Sequence, residues 1–423
     1  MNIETILQCL KEQNIEKYRI NERLVETAEL FFIRKAQDVK RMKRAHLYEV
    51  TVYRDFEYDG KMKTGFSSVT FSPSLSEKEA GKKIASAYNA ASFVRNPAFE
   101  LLPGVKEEPK TQASTLADVS LEDAAKIMAN ALFAADTAED AFVNSAEIFT
   151  EKKTERILTY TGTDVRFTAY VCKGEFVTQC VAPQDVEKYV SFEYNDLATD
   201  SLTACVSSAI ANVRDRAQAV SAPKAGEYAL ILSEEHVATV LDFYAERASA
   251  PLIYAGYSAY KKGEDVQGET TGERLNVTLV ATQSYSDEGI PMQDRTLLSD
   301  GKLCCIPGAT RFCSYLGEEP TGGYTSIRVD NGSIPLADMQ KKPYLHVVTF
   351  SDFQMDAFSG YFGGEIRLAY LFDGETVTPV TGGSVSGNLL DLQKNLVFST
   401  EKFKRSNYEG PLAVLFDKVS VAG

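Results

Sequence analysis

Histidine is scarce. The chain has three, His46, His236 and His346, far apart in sequence. A hydrolytic zinc site needs two or three imidazoles or carboxylates converging on one ion, and a pair of histidines on one helix is the usual source. No helix of this chain can carry such a pair. The seven cysteines, at 9, 172, 180, 205, 304, 305 and 313, are odd in number, widely spread and without a C-x-x-C pair, so they read as reduced thiols of a cytoplasmic protein. Long apolar runs are missing too, and none approaches the roughly eighteen residues of a membrane helix. Met1 to Arg19 sets Ile3, Ile6, Leu7 and Leu10 among Glu4, Lys11 and Glu12, which fits an amphipathic surface helix and not a signal peptide. Other signatures fail on inspection. Gly81-Lys82-Lys83 has Ser76 where a P-loop needs its first glycine, and no Ser or Thr follows the lysine. Gly382 to Gly387 holds Ser384 and Ser386 but not the G-x-S-x-G spacing of a nucleophilic serine.

What is present is ordinary globular material. With 423 residues, 44% hydrophobic and 25% charged, the chain can bury a sizeable core, and two or three domains are expected. The formal charge of −14 repels phosphate backbones and anionic lipid, so neither nucleic acid nor a membrane is expected as a partner.

The pattern along the chain predicts an α+β protein. Residues 46 to 53 and 64 to 71 read as two strands of a hairpin turning at Asp59-Gly60, and Ser76 then caps a helix with Ala80, Ile84, Ala87, Tyr88 and Ala91 on one face. The same order returns about 110 residues later. Strands are predicted near Ile157 to Tyr160, Val165 to Cys172 and Phe176 to Val181, with a turn at Lys173-Gly174-Glu175, followed by a helix near Ser201 to Ala217. A linker, Pro103 to Ala117, and a helix from Leu121 to Phe133 separate the copies. Residues 1–222 are thus expected to form an N-terminal α/β domain of two strand-hairpin-helix units. Residues 223–423 are expected to form a mostly antiparallel β domain. It would open with the strand Tyr228 to Leu232 and a helix from Glu234 to Ala248 capped by Ser233, with His236 exposed in the first turn. His346 sits in the strand pattern Leu345-His346-Val347-Val348 and is expected to be satisfied there, not to bind a metal.

The C-terminal part carries, in order, Tyr285-Ser286-Asp287-Glu288-Gly289-Ile290-Pro291, Asp300-Gly301-Lys302-Leu303, Thr321-Gly322-Gly323, Phe358-Ser359-Gly360 and Val419-Ser420-Val421-Ala422-Gly423. Together these resemble the TldD/PmbA family, the modulator of DNA gyrase metallopeptidases. In the catalytic branch of that family a His-Glu-x-x-x-His motif lies on the helix after the strand that opens the C-terminal domain. Here that helix has His236 but Leu241 five residues on, and no cysteine follows Cys313 to match the branch's late cysteine ligand. The resemblance is therefore to the PmbA (TldE) branch, which lacks the zinc motif.

The resemblance implies no catalytic or metal residue and no cofactor in this chain, with zinc brought by a TldD-like partner. The subunit would form a homodimer, or a heterodimer with that partner, and act in proteolysis of unfolded or small peptides. Positions matching the family's scaffold elements become candidate peptide contacts: Ser258, Glu288, Gly289, Thr321, Gly322, Gly323, Arg328, Ser359 and Gly360. Their chemistry is backbone geometry and hydrogen bonding, and Gly322, Gly323, Gly360, Gly363 and Gly364 could line a groove to which an extended peptide adds as a strand. Two alternatives stand beside this one. One is a stand-alone metallopeptidase assembling a site from dispersed residues such as His236, His346 and Asp352, and the other is a non-enzymatic peptide-binding module.

Overall fold

The computed structural model describes residues 1–219, 221–405 and 407–423. The first helix, α1 (Ile3–Glu12), buries Ile3, Ile6, Cys9 and Leu10 and takes its cap from the Asn2 side chain, which accepts from the Thr5 amide. Three long strands follow, β1 (Tyr18–Ile33), β2 (Ala36–Tyr58) and β3 (Lys61–Phe71), and then α2 (Glu77–Ala91). The β2–β3 turn falls at Asp59-Gly60, where both residues adopt positive φ, 50° and 67°. Helix α2 begins with a full capping box between Ser76 and Glu79 and buries Ala80, Ile84, Ala87 and Ala91.

Two short strands follow, β4 (Asn96–Pro97) before the linker and β5 (Lys110–Thr111) within it. A second unit of the same order comes next: α3 (Leu121–Ala134), β6 (Ala141–Thr159), β7 (Asp164–Cys180), β8 (Val186–Tyr194) and α4 (Thr199–Gln218). Each unit is a helix, a three-stranded meander and a second helix. Strands β1 and β6 pair antiparallel along their length, from Arg19↔Thr159 to Ile33↔Ser145, and fuse the units into one sheet with the order β4-β3-β2-β1-β6-β7, in which both β5 and β8 pair with β7.

One expectation needs correction here. Lys173-Gly174-Glu175 is not a turn, because β7 runs straight through it and all three residues pair with both β6 and β8. Glycine is needed there because a Cβ at 174 would lie 2.1 Å from the Glu147 carbonyl oxygen. The real turn precedes β7, at Gly162 with φ 100°. Strands β1 and β8 were also unforeseen.

The C-terminal part opens with β9 (Gly226–Ser233), α5 (Glu235–Arg247) and α6 (Ala250–Tyr254). It continues through β10 (Val277–Leu279), β11 (Arg295–Ser299), β12 (Lys302–Leu303), α7 (Thr310–Leu316), β13 (Ile327–Val329), β14 (Tyr344–Met355) and β15 (Tyr361–Phe372). The last strands are β16 (Val377–Val380), β17 (Ser384–Asn388), β18 (Val397–Phe398), β19 (Lys402–Arg405), β20 (Tyr408–Pro411) and β21 (Ala413–Ala422). One sheet has the order β12-β11-β10-β13-β20-β19. In the other, β14-β9-β21-β17-β15 returns to β14 and so closes a five-stranded ring, with β16 beside β15 and β18 beside β21. Closure removes the free edges that an open sheet would expose. Leu230, Leu232, Val237, Leu241, Tyr244, Leu345, Val347, Ile366, Val414 and Phe416 form the core between this ring, α5 and the smaller sheet.

Candidate functional site

The segment Ser284–Met292 joins the two halves, because it reaches from the C-terminal part onto the N-terminal sheet. The Asn21 side-chain amide donates to the Asp287 carbonyl at 2.9 Å, the Tyr285 hydroxyl donates to Glu107 at 2.7 Å, and the Tyr285 ring packs on Phe167. Gly289 has φ 77°, and a Cβ there would sit 2.6 Å from Thr163 Cγ2. Only glycine combines that backbone with that approach. Glu288 faces the other way: its Oε2 accepts from the Thr310 amide at 2.9 Å and the Thr310 hydroxyl at 2.6 Å, and so caps α7. Thr321 and Gly322 close the same region. The Thr321 hydroxyl accepts from the Gly308 amide, and Gly322, φ 78°, leaves no room for a Cβ against Met292 and Ser286. Gly323 alone of these faces open space.

The structure thus brings Glu288, Gly289, Thr321, Gly322 and Gly323 together, but most of their hydrogen bonds and contacts are within the protein. Arg328 stands apart on β13, half-exposed, paired with Asp294 at 3.2 Å and Glu409 at 3.6 Å. Ser258, Ser359 and Gly360 form a third group. Ser258 is buried and accepts from the Tyr260 amide, while Ser359 and Gly360 make the turn between β14 and β15, where Tyr257 and Phe358 stack edge to face. Gly363 and Gly364 cannot take an added strand as expected, because β15 is already paired there, with Gln354 and Phe353 on one side and Ser386 and Val385 on the other.

Histidine chemistry is equally closed. His236 is not exposed: it retains 7% of its surface, its ring wedged against Phe350 and Phe353 at 4.8 and 5.2 Å, and its Nε2 has no hydrogen-bond partner. Burial holds it below the ordinary imidazole range, so it is neutral. Nor does Ser233 cap α5. The cap is Glu234, which makes no side-chain cap bond and adopts φ 56°, while the Ser233 hydroxyl bonds His346 Nε2 at 3.0 Å. Gln340 Nε2 lies 3.3 Å from His346 Nδ1. With both nitrogens engaged and burial the main cause, followed by nearby His236, the His346 imidazole is lowered to about 4. Asp352 bonds to Gln354 on the surface. His236, His346 and Asp352 therefore do not assemble a metal site, and no group of three metal-capable side chains converges among the described residues.

The open space lies elsewhere, in two recesses between the two halves of the chain. One, about 860 Å³, is walled by Glu151, Lys153, Lys173 and Glu193 of the N-terminal sheet and by Thr282, Gln283 and Thr325 opposite. The second, about 630 Å³, lies between the β8 residues Lys188–Tyr194 and the β19 residues Lys402–Arg405, with Ser201, Cys205 and Ser208 of α4 and the acids Glu234 and Glu235 at the start of α5. Arg405 lines both, and its Nη2 donates to the Ser191 hydroxyl at 2.8 Å. Burial, and then the neighbouring Glu235, push the Glu234 carboxyl above its usual range. Both bounding strands end their sheets: among the described residues β8 pairs only with β7, and β19 only with β20. Lys188, Ser191, Glu193 and Arg405 carry no motif and were missed. The alternation in Val186-Glu187-Lys188-Tyr189-Val190-Ser191-Phe192 was the available signal for the strand.

Residues 225–423 match the model of the PmbA/TldA metallopeptidase C-terminal domain. The C-terminal part of the chain thus matches the TldD/PmbA family. A metalloprotease of Methanothermobacter thermautotrophicus is 25% identical over 42% of this chain and 43% of its own length, so the chain spans less than half of that curated relative. Two solved structures share the whole fold: TldE of Thermococcus kodakarensis (TM-score 0.78, 16% identity, 99% of this chain and 100% of that one) and a proposed modulator of DNA gyrase from Thermotoga maritima (TM-score 0.77, 16% identity, 99% of each). Among the described residues no helix is long and apolar enough to cross a membrane.

Proposed function

We propose that this protein is a PmbA/TldE-like subunit of the TldD/PmbA family that holds an unfolded or small peptide while a metal-bearing TldD-like partner cleaves it in the cytoplasm. The observation that carries this reading is the state of α5. It occupies the place of the family's zinc helix, yet its one histidine is buried among phenylalanines and Leu241 stands where a second imidazole would have to be. The peptide would lie extended in the recess between β8 and β19, whose outer backbone edges can pair with an added strand. Lys188, Arg405, Glu193 and Glu235 line that recess and would meet its termini and side chains. Zinc would be the partner's contribution, and this chain would supply positioning.

Metal content and peptide cleavage, measured on the chain alone and after co-expression with a TldD-like protein from the same genome, test the reading. Metal and cleavage only in the co-purified complex are expected. Chelator-sensitive cleavage by the isolated chain, or about one zinc per isolated chain, would overturn it in favour of a stand-alone metallopeptidase.

A further inference from the structure

The hairpin of β1 and β2 projects past the rest of the sheet. Strand β2 pairs with β1 from Ala36 to Val52, but β3 covers its other side only from Tyr48 onward. From Ala36 to Leu47 the outer edge of β2 therefore has no strand beside it among the described residues. Nor is either face covered at first, because the nine residues Ala36–Arg44 are all exposed, Met42 at 58% and Val39 at 43%. Unpaired edges of this length are templates for another chain, and proteins normally shorten, bulge or cover them.

Its charge selects the chain. Arg34 to Arg44 holds six cations, Arg34, Lys35, Lys40, Arg41, Lys43 and Arg44, against one acid, Asp38, in a molecule whose formal charge is −14. Glu29 and Glu26 on β1, Glu122 on α3 and Asp136 pair with Arg41, Arg44, Lys40 and Lys35, yet these four cations keep 40 to 66% of their side-chain surface exposed, and Lys43 has no ion pair among the described residues. Two copies pairing edge to edge would set these cations against themselves, and like charges directly opposite are destabilising.

We propose that Ala36–Leu47 is a docking edge for an acidic β-strand of a different polypeptide. A strand is required because the edge offers a row of backbone donors and acceptors, which neither a phosphate backbone nor a lipid surface can match. This inference does not depend on the peptidase reading, since it needs no cleavage and no metal.

The test uses the full chain and a synthetic twelve-residue peptide alternating glutamate with valine and threonine. Two control peptides accompany it: one with lysine for glutamate, and one with the acidic sequence N-methylated at alternate residues. Fluorescence anisotropy reads affinity, and amide hydrogen exchange reads where protection falls. The acidic peptide is expected to slow exchange within Ala36–Leu47. Both controls are expected to bind at least roughly tenfold more weakly, as expected when charge pairs and backbone bonds are lost. K43E/R44E, both on exposed positions, is expected to weaken the acidic peptide about as much while leaving the far-ultraviolet circular dichroism unchanged. Equal binding of acidic and basic peptides, tolerance of N-methylation, or protection outside this edge would overturn the proposal. So would a wild-type dimer in sedimentation that K43E/R44E strengthens, because the edge would then be self-pairing.

Discussion

Replacing Gly289 by alanine tests the clamp between the two halves of the molecule. At φ 77° an L-residue costs roughly 1–2 kcal/mol. The new methyl would also stand 2.6 Å from Thr163 Cγ2, inside contact distance, and overpacking of this kind adds about 1–3 kcal/mol. Gly289→Ala should therefore destabilise by about 3 kcal/mol in all, of which only the steric part depends on Thr163. Thr163→Ser removes Cγ2, so in the double variant about 1–3 kcal/mol should return as coupling, while the backbone cost stays. Urea unfolding of the four proteins, followed by tyrosine fluorescence and by amide exchange of the Ser284–Met292 segment, completes the cycle. A loss below about 0.5 kcal/mol in Gly289→Ala, or additive effects with Thr163→Ser, would refute the view that this turn is seated against the N-terminal sheet.

Stability should fall in mild acid through His346. Its native value of about 4 lies below the unfolded value near 6.5, so the unfolded state takes up a proton first, and about 3 kcal/mol is lost as pH drops from 6.5 to 4. His346→Gln should flatten that slope in urea titrations at several pH values, and parallel slopes would exclude His346 as the cause. Tyr244→Phe removes the hydroxyl that donates to Gln393 Oε1 at 2.8 Å in a fully buried site and should cost about 1–3 kcal/mol in thermal unfolding. Arg405→Ala should weaken capture of an unstructured peptide severalfold by anisotropy with little change in melting temperature; unchanged affinity would remove the β8–β19 recess from the proposed function.

Local chemistry decided which parts of this structure could be read from sequence. The turn at Asp59-Gly60, the Ser76 cap and the helices α3 and α4 depend on residues close in sequence, and they stand as expected; the mostly antiparallel character of the C-terminal part also stands. Strand β1 escaped notice because its buried positions, such as Ile20, Asn21, Thr27 to Leu30, follow no simple alternation. The Lys173-Gly174-Glu175 error has the opposite origin: the composition suits a turn, but Gly174 is there so that the Glu147 carbonyl and the Phe192 ring can approach. His236 was misplaced for want of tertiary information, since an amphipathic pattern does not reveal that Phe350 and Phe353 close over the first turn of α5. The recess fared worst, because β8 and β19 lie more than two hundred residues apart and meet only when the two halves dock.

The five-stranded ring imposes an order on synthesis. Strand β9 is made early in its half of the chain, yet the neighbour that completes one side of it is β21, Ala413–Ala422. Until that segment leaves the ribosome, β9 and β17 each present an open flank, and the ring is a curled sheet with a gap. A nascent chain stalled short of residue 413 would thus carry two adhesive edges at once, and the release of these ten residues is the point at which both are covered.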